Sequence, residues 1–87
     1  SDLRLTPHHF RDRDMREVDI VLERDDGTIA GIEVKASATV KAGDFAGLRA
    51  LAEACGDRFA FGVVLYDSTD FVPFGDKLAA APLSSLW

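Results

Sequence analysis

Residues that form covalent cross-links or metal centres are scarce in this sequence of 87 residues. It contains one cysteine, Cys55, and two histidines. A single cysteine cannot form an internal disulfide, and no Cys/His spacing in the chain resembles a zinc site. We therefore expect Cys55 to pack as a small apolar residue and the fold to depend on its apolar core.

Long apolar runs are also missing. The longest span only a few residues, whereas a membrane-spanning helix needs roughly 20. The N-terminus lacks the charged and then apolar pattern of a signal peptide, so a cytoplasmic location is expected. No G-x-x-x-x-G-K-[ST] loop occurs, and we expect no ATP site of that type here. Patterned sequence begins directly at Ser1 without a methionine, which leads us to expect a piece of a larger protein.

Basic residues are outnumbered by acidic ones. The chain has 10 Lys and Arg against 15 Asp and Glu, a formal net charge of −5. This balance argues against a nucleic-acid-binding surface over the whole domain, because nonspecific affinity comes chiefly from cations that neutralise phosphates. A local basic patch remains open. With 47% apolar and 29% charged residues, the composition is typical of a folded domain, and we expect a single one over residues 1–87.

Two neighbouring runs alternate between apolar and polar residues as strands do. The first is Glu17 to Arg24 and the second is Thr28 to Ala36. In the first run, one predicted face carries Val18, Ile20 and Leu22, and the other carries Glu17, Asp19 and Glu23. Between the runs, Asp25-Asp26-Gly27 predicts a hairpin loop in which Gly27 adopts a left-handed conformation.

The remaining elements follow from spacing and from turn residues. Helical periodicity predicts a helix that begins with Asp44 as its N-cap, runs to Cys55 and stops at Gly56. The other predictions are a strand or extended lead-in at His8 to Arg13, a turn at Asp14 to Arg16, a buried strand at Arg58 to Tyr66, a short edge strand near Phe71 to Phe74, and a strand or turn up to Pro82 followed by a helical turn.

The hairpin raises a question of charge. A three-residue loop sets Asp19 opposite Glu33 and Glu17 opposite Lys35, all on one face. A two- or four-residue loop would send Asp19 and Glu33 to opposite faces. Two opposed carboxylates about 5 Å apart repel by about 3 kcal/mol at an effective dielectric constant of about 20.

Three arrangements would relieve this repulsion: a raised pKa on one acid, a salt bridge to Lys35, or a divalent cation between the carboxylates. Mg²⁺ prefers oxygen ligands and is usually held by one or two carboxylates together with substrate phosphate. A bound Mg²⁺ would make water more acidic and offset charge that develops on phosphorus. The same alternation is also typical of an ordinary solvent-facing strand surface.

The residues that carry this pattern resemble a known superfamily. "REVDIVLE…GIEVKAS" is similar to the D…(D/E)xK core of the PD-(D/E)XK nucleases. The run from "RDRDMREVDIVLE" to "APLSSLW" looks like the C-terminal domain of unknown function of bacterial and archaeal AAA+ ATPases. The resemblance implies that Asp19 and Glu33 are Mg²⁺ ligands, that Lys35 is the catalytic lysine, and that Ser37 is only a neighbour of the site.

The resemblance also implies a fold and partners. We expect an α/β, restriction-endonuclease-like mixed sheet with flanking helices, lacking the first helix and the further acid that the nuclease core carries there. The implied partners are nucleic acid and an N-terminal ATPase domain in the same chain. Two functions stay open: Mg²⁺-dependent phosphodiester hydrolysis, or a non-catalytic binding or regulatory module of the ATPase with a nuclease-like fold.

Overall fold

Six strands form one mixed sheet in the computed structural model, which describes residues 5–11 and 17–86. Within these residues the elements are β1 (Leu5–Arg11), β2 (Glu17–Arg24), β3 (Ile29–Lys35), α1 (Ala46–Cys55), β4 (Phe59–Tyr66), β5 (Val72–Pro73) and β6 (Leu78–Pro82), with 3-10 helices at Ala42–Phe45, Gly56–Arg58 and Leu83–Leu86. The sheet order is β1-β2-β3-β4-β6-β5. Strands β3, β4 and β6 are parallel, and the other neighbours are antiparallel.

The coarse prediction of an α/β domain with a mixed sheet is confirmed. The predicted bounds of β2 are those observed, and β5 lies at a sheet edge as Pro73 indicated. The turn predicted at Asp14 to Arg16 lies outside the described residues. No helix in the described part of the chain is long and apolar enough to cross a membrane.

The β2–β3 hairpin has the predicted three-residue loop. The Arg24 N–H donates to the Thr28 carbonyl at 2.9 Å, and the Gly27 N–H donates to the Arg24 carbonyl at 2.9 Å. Gly27 has φ +90°, a conformation that glycine adopts without steric penalty. The ladder then pairs Glu23 with Ile29 and continues to Ile20 with Ile32. This is the predicted register over residues 20–23 and 29–32, where the ladder ends. Asp19 and Glu33 lie just beyond its last pair.

Helix α1 packs against the face of the sheet that carries Gly31. A Cβ atom at Gly31 would lie 2.6 Å from Leu48 Cδ2, and one at Gly47 would lie 1.9 Å from the Glu17 carbonyl oxygen. These two glycines therefore allow the helix to approach the sheet closely. Between helix and sheet lies a buried apolar cluster: Val18, Val21, Ile29, Phe45, Leu48, Leu51, Phe59, Val64, Tyr66 and Ala80.

A β-bulge changes which side chains of β2 enter this core. In the β1–β2 ladder, His8 pairs with Val21 but Phe10 pairs with Val18, so β2 has one extra residue between these pairs. Val18 and Val21 are both buried, whereas Ile20 is 39% exposed. The prediction that Val18 and Ile20 share one face is therefore wrong, because strict alternation does not continue through a bulge.

The opposite face of the sheet is largely apolar and partly open to solvent within the described residues. Arg24 lies on this face at the end of β2, beside Leu22 and Phe61. By register the face also carries apolar side chains from β2 to β6, of which Leu65 and Ala81 are buried: Ile20, Leu22, Ala30, Ile32, Val34, Phe61, Val63, Leu65, Ala79 and Ala81. Val34 is 45% exposed and Phe61 51% exposed. A groove of about 500 Å³ runs between Phe61 and Phe71.

Candidate functional site

A small polar cleft of about 290 Å³ lies beside the end of β3, where the chain leaves the sheet. Four of its lining residues are charged: Asp19, Glu33, Lys35 and Asp44. Asp19, Glu33 and Lys35 are the three residues that the sequence singled out, and the structure brings them together in this one cleft. Their roles in metal binding and catalysis remain predictions.

Asp19 is held against β3 by a main-chain hydrogen bond. Its Oδ2 accepts from the Val34 N–H at 2.9 Å. In a continued antiparallel ladder, that N–H would donate to a main-chain carbonyl of β2. The Asp19 carboxylate takes the place of the carbonyl at the point where the β2 ladder becomes irregular, and this orients it toward the neighbouring Glu33.

Glu33 carries the clearest electrostatic perturbation in the cleft. Partial burial, a hydrogen bond with the Asp19 side chain and repulsion from the Asp19 charge raise the pKa of Glu33 from 4.5 to about 7. At neutral pH this carboxyl is therefore protonated in a substantial fraction of molecules. The raised pKa is one of the three forms of relief expected for two opposed acids.

Lys35 pairs with a different acid. Its Nζ donates to Asp44 Oδ2 at 2.5 Å, and both side chains are partly buried, with 26% and 25% exposed. The same oxygen accepts from the Lys41 N–H at 2.7 Å. These two hydrogen bonds, that from Lys35 being the larger effect, hold the pKa of the Asp44 carboxyl below its usual value. Lys35 thus pairs with an acid that lies outside the hairpin.

The role of Asp44 in the structure differs from the role that the sequence predicts. It was predicted to be the N-cap of the helix, but α1 begins at Ala46 and Phe45 occupies its N-cap position without a side-chain cap. Asp44 instead closes the preceding 3-10 turn through Lys41. That prediction is wrong because the preceding 3-10 turn includes Asp44 and moves the N-cap of α1 by one residue, to Phe45. In the sequence, only the three-residue spacing between Lys41 and Asp44 indicated the hydrogen bond that Asp44 accepts from the Lys41 N–H.

Other candidate ligands and cations are engaged elsewhere. His8 Nε2 lies 3.0 Å from Glu23 Oε1. The Arg49 guanidinium donates to the Ala42 carbonyl at 2.9 Å and lies 5.9 Å from the centre of the Phe45 ring. Cys55 is partly buried against the core, as expected. Over the part of the chain that the structure describes, no three His, Cys, Asp or Glu side chains are grouped so that they could hold a metal ion.

A comparison with known protein families shows which family this chain belongs to. The model of the family described as "Domain of unknown function (DUF4143)" matches residues 1–86. The chain belongs to the DUF4143 family. The expected relationship to a domain of unknown function is thereby confirmed, and the DUF4143 match includes every residue of the cleft. Comparison with curated proteins and with solved structures gave no match.

Proposed function

We propose that this DUF4143 domain is a nuclease-like module of an AAA+ family ATPase whose cleft supports Mg²⁺-dependent hydrolysis of a phosphodiester bond in nucleic acid. The proposal also takes the mixed sheet to be of the restriction-endonuclease-like type. One observation carries it: Asp19, Glu33 and Lys35 line one cleft beside the end of β3. This is the arrangement that the D…(D/E)xK pattern requires.

The side chains of the cleft fit a hard divalent cation. Partial burial and then the neighbouring Asp19 carboxylate raise the pKa of Glu33 to about 7, and Lys35 is occupied by Asp44. Mg²⁺ is commonly held by one or two carboxylates with waters completing its coordination shell. Asp19 and Glu33 would hold it. When bound, the metal would supply Lewis acidity toward a phosphoryl oxygen and toward water.

The residues of the chain have distinct tasks in this proposal. The Val34 N–H donates to Asp19 Oδ2 and so fixes the orientation of this carboxylate beside Glu33. Glu33, when ionised, supplies the second carboxylate that would hold the cation. The Lys35 ammonium offers charge-assisted hydrogen bonds to a phosphate oxygen or to an attacking water.

A nicking assay on the full-length protein that carries this domain tests the proposal. We expect supercoiled plasmid to be nicked in the presence of Mg²⁺, and we expect Asp19→Ala to abolish nicking. Asp57→Ala, which removes one exposed negative charge outside the cleft, is the matched control and should leave nicking unchanged. If the full-length protein cuts nothing and Asp19→Ala binds Mn²⁺ as tightly as the wild type, the enzymatic proposal fails.

The second candidate is a binding or regulatory platform for the ATPase or a partner protein, and the open apolar face favours it. Parallel strands such as β3, β4 and β6 are almost always covered on both faces, whereas α1 covers one. In this case Phe61 and Phe71, now 51% and 67% exposed, would contact the rest of the protein.

Footprinting with a carbene reagent tests whether the apolar face is covered by the rest of the protein or stays exposed. Phe61 and Phe71 should be labelled in the 87-residue chain and protected in the full-length protein. Arg58, which is also exposed, serves as an internal reference. Equal labelling of both phenylalanines in the two proteins would exclude this face as a docking surface.

A further inference from the structure

The Lys35–Asp44 pair occupies an unusual position in the cleft. Lys35 lies two residues from Glu33 on the same strand and lines the same cleft as Glu33 and Asp19. An ammonium in this position could pair with the two crowded carboxylates. Its Nζ instead lies 2.5 Å from Oδ2 of Asp44, which belongs to the turn that leads to α1.

Asp44 is itself fixed in place. Its Oδ2 accepts from the main-chain N–H of Lys41 at 2.7 Å, and the adjacent Phe45 is fully buried in the core beneath α1. The carboxylate is therefore anchored by main chain and core packing and does not depend on Lys35 for its position. A fixed acceptor of this kind can determine where a flexible lysine side chain points.

We propose that Asp44 is a positioning residue that holds the Lys35 ammonium away from the Asp19–Glu33 pair. The two carboxylates then stay available to a divalent cation, and the ammonium stays at the mouth of the cleft, where it would meet a phosphate oxygen. This inference rests on the proposed function of the cleft. Asp44 touches neither metal nor substrate in it.

Mn²⁺ binding in the 87-residue chain, followed by isothermal titration calorimetry, measures the consequence. Asp44→Asn keeps an oxygen acceptor for the Lys41 N–H but loses the charge that holds Lys35. We expect Mn²⁺ to bind this variant on the order of tenfold more weakly, because the released ammonium pairs with the acids that would hold the cation.

The double variant Asp44→Asn/Lys35→Met is the decisive control. In the Asp44→Asn background, removing Lys35 should strengthen Mn²⁺ binding by at least about tenfold. In the wild-type background, removing Lys35 should change the Mn²⁺ affinity less than about threefold. Equal gains in the two backgrounds would overturn the inference, because Lys35 would then compete for the acids whether or not Asp44 is present. Asp44→Ser replaces the Asn variant if that one fails to fold by circular dichroism.

A second measurement needs no metal and therefore separates this inference from the proposed function. NMR couplings across hydrogen bonds should connect Lys35 Nζ with the Asp44 carboxyl carbon in the wild type. In Asp44→Asn they should connect it with Glu33 or Asp19. A lysine that approaches neither acid in that variant refutes the positioning role. If the couplings move as expected but no variant binds Mn²⁺, the positioning role stands and the metal-dependent function falls.

Discussion

Replacing Glu33 with glutamine should make the protein more stable at alkaline pH. The pKa of Glu33 rises from 4.5 to about 7 on folding, chiefly through partial burial and then through Asp19. The folded protein therefore holds a proton between pH 4.5 and pH 7 that the unfolded chain has released. Stability contributed by this proton is present at low pH and is lost as the pH rises through about 7.

The magnitude follows from the same two values. A rise from 4.5 to about 7 corresponds to at most about 3 kcal/mol of unfolding free energy. Glu33 is only partly buried, so solvent screening reduces this to about 1 to 2 kcal/mol. Glutamine is neutral at every pH, and its amide can donate to Asp19 as the protonated carboxyl does. The variant should therefore match the wild type near pH 4 and exceed its stability by about 1 to 2 kcal/mol near pH 8.

Urea unfolding at intervals from pH 4 to pH 8, followed by far-UV circular dichroism, measures this difference. Glu53→Gln, at an exposed position of α1, controls for the loss of one negative charge. The reasoning is refuted if the difference between Glu33→Gln and wild type is constant with pH. It is equally refuted if the wild type becomes the more stable protein as the pH rises.

Three further substitutions test the packing that supports the cleft. Gly47→Ala should destabilise the fold by at least about 2 kcal/mol in a urea titration, because its Cβ would lie 1.9 Å from the Glu17 carbonyl oxygen. Gly43→Ala, whose Cβ would have nothing within 4 Å, should have little effect in the same titration. Leu48→Ala should lower the unfolding free energy by about 2 to 5 kcal/mol. Phe71→Ala, at a position that is 67% exposed, should change the thermal midpoint very little. Similar losses of stability for both variants would contradict the assigned core. Tyr66→Phe removes the hydroxyl that donates to the Asp70 carbonyl at 3.1 Å and should lower stability by about 1 kcal/mol, measurable by calorimetry; an unchanged midpoint would show that this bond is not formed in solution.

Local sequence patterns were sufficient to predict the hairpin. A loop of three residues with glycine at its third position predicts the register that is observed from Glu23–Ile29 to Ile20–Ile32. The helix ending at Gly56 and the strand over residues 59–66 were likewise signalled by nearby residues. These predictions succeeded because each depends on interactions between residues that are close in the chain.

The bulge in β2 and the contact of Lys35 could not be read in the same way. The bulge depends on how β1 pairs with β2, and residues 12–16 between those strands carry no pattern that specifies one extra residue. Lys35 had acidic candidates on its own hairpin, but Asp44 is anchored by Lys41 in a turn that the helical pattern did not distinguish from the helix itself.

The sequence by itself determined the strand segments, the position of the helix and the register of the β2–β3 hairpin next to its loop. A short loop can connect two adjacent strands in only a few conformations. Only the tertiary structure decided which face of the sheet the helix covers and which acid holds the lysine. Both depend on the close approach of α1 at Gly31 and Gly47, which requires several distant segments to be packed together at once.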